Sequence, residues 1–287
     1  MRKAIEIEGL RKDYKDFSLN DISFSLPTGH IMGFVGQNGA GKTTTIRLML
    51  NMTARNNGSI KILGMDNILE EQRIKQDIAV VFDEIFFAEN WKISEVEKAI
   101  KSFYTNWNST LYYQYISDFS LPINKQIKEL SRGMKMKLML ASAMSHNARL
   151  LILDEPTSGI DPVARNELLE ILSTYVSNGE NSVFFSTHIT TDLEKIADYI
   201  AIIDNGDLFY TGTKDDLLAR FYLIKGGLNS LTDELRQMII GLSTFRTEFQ
   251  GLIPVSEAKR DLPVNITVET PTIDDLLVHI VKRKKYE

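Results

Sequence analysis

Hydrophobic and polar positions divide the chain into distinct textures. Residues 3–8 (KAIEIE) and 19–26 (LNDISFSL) alternate with the two-residue period of half-buried strands. Residues 31–35, 78–82, 150–153, 183–186 and 199–203 are short, nearly unbroken apolar runs, the pattern of buried core strands. From about 93 to 145 the period becomes helical. Ile93, Val96, Ile100 and Phe103 make one apolar stripe, and Leu111, Tyr115, Ile116 and Phe119 another. A helical insertion into an α/β core accounts for the change. Residues 162–176 read as a helix with proline in its first turn, residues 191–197 as a second helix, and Asn205-Gly206 as a hairpin turn before a strand at 207–210. Asn56-Asn57-Gly58 marks a turn ahead of a strand at 59–63. Beyond Phe221 the pattern thins. Gly226-Gly227 reads as a flexible boundary, and short candidates around Pro254, Pro263 and Pro271 with an amphipathic helix at 273–285 predict a small α+β appendage.

The apolar run at 31–35 leads into Gly36-Gln37-Asn38-Gly39-Ala40-Gly41-Lys42-Thr43-Thr44, which has the spacing G-x-x-x-x-G-K-[ST] of a P-loop. Glycines at 36, 39 and 41 let successive N–H groups turn inward around an anion, and a helix over 43–50 aims its N-terminal dipole at the same place. Lys42 is spaced to reach the β- and γ-phosphates, and the Thr43 hydroxyl to ligate Mg²⁺. The motif implies a nucleoside triphosphate.

Composition narrows the partners. At 287 residues the chain holds one large or two modest domains, and its 43% hydrophobic and 25% charged content is ordinary for a globular protein. A net charge of −5 lacks the basic surface that nucleic acid requires, so no nucleic-acid partner is expected. There is no cysteine, in keeping with a reducing cytosol. Residues 1–10 have no apolar core of a signal peptide, and nowhere do 18 apolar residues run together. Any membrane role is expected through another chain; Lys282-Arg283-Lys284-Lys285 has the charge to touch anionic lipid, but reads first as a solvated helix end favoured by the helix dipole.

The run at 150–153 ends in Asp154 and Glu155. An acid at the mouth of a parallel strand beside a P-loop can hold Mg²⁺, a role for Asp154, and Glu155 can accept a proton from an attacking water.

With the P-loop and the acidic strand in place, residues 1 to about 220 resemble the ATP-binding cassette (ABC) family. Leu130-Ser131-Arg132-Gly133-Met134 resembles its signature motif, Ser158-Gly159-Ile160-Asp161 its D-loop, and Ser186-Thr187-His188 the segment carrying its switch histidine. The resemblance implies a P-loop α/β fold with a RecA-like core, an antiparallel β portion and a helical subdomain at about 84–145, followed by an accessory domain at 222–287. Residues 1–221 are expected to fold and bind ATP alone. It further implies ATP hydrolysis with Glu155 as base, Lys42 and His188 on the phosphates, Ser131, Gly133 and Asp161 completing the site, and Tyr14 stacking on adenine. Thr43, Asp154 and Asp83 are the expected Mg²⁺ ligands. A second cassette, identical or not, and a separate transmembrane permease are the implied partners, which would hold the chain peripherally at the cytoplasmic face of the membrane.

Two departures stand out. Arg132 and Met134 replace a glycine and the glutamine of the usual LSGGQ, and Asp83 stands where the family places a glutamine at a strand end. Residues 81–84, 133–137 and 222–227 look most like ABC-2-type exporter ATPases of Gram-positive bacteria, which export peptides, drugs and antibiotics. A soluble ATPase of DNA repair or translation would bring a second cassette or a long coiled coil, and a GTPase an N-K-x-D motif; the chain has none of these. A regulatory module that closes on ATP with little turnover is the other reading.

Overall fold

The computed structural model describes residues 2–84, 86–258, 263 and 265–283. Its backbone divides into two compact units, Met1–Ile189 with Ala201–Thr211, and Thr190–Ile200 with Gly212–Glu287.

A ten-stranded sheet runs in the order Met65–Asp66, Asn57–Ile62, Lys3–Asp13, Ser18–Pro27, Asp207–Thr213, Tyr199–Asp204, Ile31–Val35, Ser182–Thr187, Leu150–Asp154, Ile78–Val81. Its two ends follow different sequence patterns for a physical reason. Ile31–Val35, Ser182–Thr187, Leu150–Asp154 and Ile78–Val81 pair in parallel, and every residue of the first three is buried. Burial on both faces removes any need for polar alternation. Lys3–Asp13 and Ser18–Pro27 pair antiparallel, with Ile5, Ile7, Leu10, Ile22, Phe24 and Leu26 inward and polar residues such as Glu6, Glu8, Ser23 and Ser25 between them at least partly exposed. Phe24, Phe34 and Phe184 meet at centroid distances of 5.5–5.8 Å and join the P-loop strand to Ser182–Thr187 beside it and to Ser18–Pro27 of the antiparallel portion.

Helices Ile93–Ile100, Ser109–Asp118 and Arg132–Met144 form the expected helical portion around a core that includes Ile93, Val96, Tyr112, Ile116, Leu138 and Ala141. The second stripe differs from its sequence reading. Tyr112 and Ile116 point inward, while Tyr115 and Phe119 stack on each other at the margin, 5.6 Å between centroids. The Tyr112 hydroxyl donates to the Ile93 carbonyl at 3.0 Å, which lets a ring with a polar tip be fully buried. Phe103 leaves the first stripe because the helix tightens into a 3₁₀ turn at Lys101–Phe103, and its side chain is exposed.

In the second unit, strands Ile240–Thr244, Glu248–Pro254, Phe221–Gly227 and Ile266–Glu269 form an antiparallel sheet in that order. Gly226 and Gly227 lie inside this sheet rather than in a hinge. Gly226 is opposite both Phe249 and Ile266, and a Cβ there would stand 2.9 Å from the Phe249 ring. Helix Ile273–Arg283 packs against strand Ile240–Thr244 and helix Thr190–Ile196. Ile273 N donates to Glu194 at 3.0 Å and Thr190 Oγ1 to Asp274 at 3.3 Å. Lys284 and Lys285 of the basic tail lie outside the described residues.

Candidate functional site

The site is assembled at the carboxyl ends of the parallel strands, where an open α/β sheet offers helix N-termini and loop backbone to a ligand. Ile31–Val35 runs straight into the glycine-rich loop, and helix Lys42–Met49 leaves it. Gly41, at φ 113, forms the N-cap without any side-chain cap, so the first-turn N–H groups face the loop. Gly36 is required by close approach, since a Cβ there would lie 2.2 Å from the Ile203 carbonyl oxygen. Ala40 is buried and the Ala40 carbonyl accepts from Gly206 N at 3.0 Å, while Asn38 and Gly39 are exposed at the loop tip. Thr43 and Thr44 are half-buried in the first helical turn.

Three charged or ionisable groups meet beside the loop. The buried Lys42 ammonium donates to the Gly36 carbonyl at 2.8 Å and the Gln37 carbonyl at 3.3 Å, and lies 3.1 Å from Glu155 Oε1. Glu155 Oε2 lies 2.7 Å from His188 Nδ1 and accepts from the His188 backbone N–H at 3.4 Å. Glu155 itself has φ 52, a left-handed backbone that a non-glycine residue keeps only where its surroundings hold it. Its N–H is shared by the Ser186 carbonyl and hydroxyl, each at 3.1 Å.

Next to this group, Thr43 Oγ1 donates to Asp154 Oδ2 at 2.8 Å and Ser186 Oγ to Asp154 Oδ1 at 2.5 Å. Asp154 is buried at 6% exposure, so its carboxylate is oriented by two hydroxyls rather than by solvent. The set is all hard oxygen, which fits Mg²⁺. Asp83, expected in the same set, is instead paired with Arg132.

The remaining expected residues divide by location. Ser131 is the N-cap of helix Arg132–Met144, its Oγ accepting from Met134 N at 3.3 Å. Gly133 sits one residue into that helix against helix Pro162–Val176, and a Cβ on it would lie 2.8 Å from Ala164 Cβ. Asp161 caps helix Pro162–Val176, accepting from Val163 N and Ala164 N, both at 3.1 Å. Tyr14 is 47% exposed at the turn between the first two strands, with Lys12 Nζ 5.1 Å from its ring centroid. Its neighbour Phe17 comes within 3.0 Å of where a Gly41 Cβ would stand. Ser186 was missed as a ligand-orienting residue. The signal was the register that sets it opposite Asp154 on the adjacent strand.

Comparison with known proteins identifies this arrangement. The linearmycin resistance ATP-binding protein LnrL of Bacillus subtilis is 31% identical over 230 residues, covering 75% of this chain and 71% of the relative. The chain belongs to the ABC transporter family. The family described as ABC transporter matches residues 19–158, spanning P-loop, signature and acidic strand. The bacitracin transport ATP-binding protein BcrA of Bacillus licheniformis is 31% identical, with 72% of this chain and 69% of that protein covered. Among solved structures, an ATP-binding subunit of an ABC transporter superimposes with a TM-score of 0.67 at 27% identity, covering 75% of this chain and 91% of that one. The structure of cbiO1 from Clostridium perfringens shares the fold at 19% identity and a TM-score of 0.64, with 76% and 92% covered. The fold is thus the P-loop ABC nucleotide-binding type, and the chain is an ATP-binding subunit with ATPase activity coupled to transport. Among the described residues no helix is long and apolar enough to cross a membrane.

Proposed function

We propose that this chain powers an exporter through a separate transmembrane permease, as one of two facing cassettes, and that its cargo is a peptide, drug or antibiotic-like compound. The cargo class is supported by the similarity to proteins of linearmycin resistance and bacitracin transport. The mechanism is carried by one observation, the placement of Glu155 between Lys42 and His188 and directly after Asp154.

In this reading ATP lies along the loop with its β- and γ-phosphates on the N–H groups of Gly39 to Thr44 and on Lys42. Lys42 leaves the Gly36 and Gln37 carbonyls for phosphate oxygens. Glu155 orients a water in line with the γ-phosphate and takes its proton, and His188 reports and balances the charge there. Thr43 and Asp154 would hold Mg²⁺, which would supply neutralisation of phosphate charge. Ser131, Gly133 and Asp161 serve a nucleotide shared with the second cassette, and Tyr14 offers a ring to the adenine. The chain sits at the cytoplasmic face of the membrane through its permease.

Affinity purification of the tagged chain from membranes, followed by phosphate-release assays with and without the co-purified protein, tests this reading. A membrane-spanning partner that raises turnover is the expected result. A chain that emerges alone and hydrolyses ATP at one rate in both assays would remove the exporter assignment.

A further inference from the structure

Two positions at which this chain departs from the ABC pattern touch each other. Asp83 and Arg132, 49 residues apart, form an ion pair in which Arg132 Nη2 donates to Asp83 Oδ1. Their setting gives the pair a target. Val81 is opposite Leu153 on adjacent parallel strands, so the chain segments that carry Asp83 and Glu155 leave the sheet side by side, each two residues beyond that pair. The same guanidinium covers the turn that follows Glu155. A Cβ built on Gly159 would stand 3.2 Å from Arg132 Nη1 and 3.3 Å from its Cζ and Nε. Three guanidinium atoms at nearly equal distance place the planar group face-on against that turn, where a side chain would have to push it back by a few tenths of an ångström. Glu155 keeps a left-handed backbone, φ 52, at the head of this turn, a conformation that a non-glycine residue holds only with support from its surroundings.

We propose that Asp83 and Arg132 are positioning residues, a charge clamp that fixes the Glu155–Asp161 turn from the neighbouring strand and so aims the Glu155 carboxylate. The planar fork of arginine is the element that lets one side chain both pair with a carboxylate and lie flat on backbone. Both partners are about half exposed, 46% and 47%, so the clamp is screened by salt and its effect is geometric rather than a large contribution to stability. The inference rests on Glu155 as the base, and its experiment reads the order of the turn separately from turnover.

The full-length chain is compared with Asp83→Asn, Arg132→Gln, their double variant, Arg132→Lys, and the exchange Asp83→Arg with Arg132→Asp. The readouts are hydrogen–deuterium exchange over residues 156–161 and the split of ATPase kinetics into kcat and KM. Either neutralising variant should speed exchange and lower kcat by about two- to fivefold, the worth of an exposed ion pair, with KM unchanged. The double variant should be no worse than the more affected single one. The exchanged pair should regain part of both losses, and Arg132→Lys should fall between wild type and Arg132→Gln. Losses that add in the double variant, or wild-type exchange over 156–161 in either single variant, would overturn the clamp. Faster exchange with undiminished kcat would show that the pair orders the turn without aiming Glu155 and would overturn the positioning role, whereas near-normal turnover of Glu155→Gln would remove the base itself.

Discussion

Asp154 and Ser186 face each other in register on adjacent parallel strands, and the serine hydroxyl donates to the buried carboxylate at 2.5 Å. A hydrogen bond to a charged group contributes about 1.5–3 kcal/mol, and its loss inside the sheet is not made good by water. Ser186→Ala is therefore expected to raise the Mg²⁺ concentration at half-maximal ATPase rate and to lower the melting temperature by about 2–4 °C per kcal/mol lost. Metal titration of activity together with a thermal melt checks both. Metal and melting curves that superimpose on wild type would show that Thr43 alone orients Asp154.

Glu155→Gln is expected to keep ATP affinity and slow hydrolysis by about 10²–10⁴-fold, the range for a positioned general base. ATP that is bound but not cleaved should then hold two cassettes together, visible as a doubled mass in light scattering. Near-normal phosphate release would return the role to another group.

Gly133→Ala decides between two opposing effects. Inside a helix the change ordinarily stabilises by about 0.5–1 kcal/mol, because alanine is the better helix former. Here the new methyl group would lie 2.8 Å from Ala164 Cβ, and overpacking of that kind costs about 1–3 kcal/mol. A lower melting temperature is the expected result. A rise would mean that the two helices separate freely at this point.

His146 links stability to pH. Burial holds its pKa below the ordinary value of 6.5, opposed in part by the Ile78 carbonyl, 3.0 Å from Nε2. Tyr104 stacks on the ring at 3.8 Å between centroids. A histidine kept neutral by folding contributes stability that is complete above pH 6.5 and falls away as the pH drops towards the depressed value, since the unfolded chain takes up the proton first. Stability measured by denaturant titration should decline from pH 7 to 5 more steeply in the wild type than in His146→Phe. Parallel declines would assign the acid sensitivity to other groups.

A chain ending at residue 221 is expected to bind ATP but to melt earlier. It keeps the P-loop and the acidic strand yet loses Ile273 and Asp274, whose contacts to Glu194 and Thr190 hold the helix that begins two residues after His188. Nucleotide binding and a thermal melt of the shortened chain check this. An unchanged melting temperature would show that helix Thr190–Ile196 stands without the helix Ile273–Arg283.

The parallel core, the loop and the acids are legible in the amino-acid sequence, because each is a local pattern with one mechanical solution. An apolar run such as Ile31–Val35 must be buried on both faces, and Gly36 to Thr44 has a spacing suited to holding phosphate. Helix Pro162–Val176 is legible in the sequence from the proline of its first turn, and the structure adds the Asp161 cap. Which face of helix Ser109–Asp118 is buried depends on packing, since the Ile93 carbonyl that satisfies Tyr112 lies on a different helix. The tertiary structure also placed Gly226 inside a sheet, where the Phe249 ring needs the space that a side chain would fill. Asp83 shows the limit most plainly. The family resemblance sets it among the Mg²⁺ ligands, and the contact that engages it in the structure comes from Arg132, 49 residues away, a pairing that no local pattern specifies.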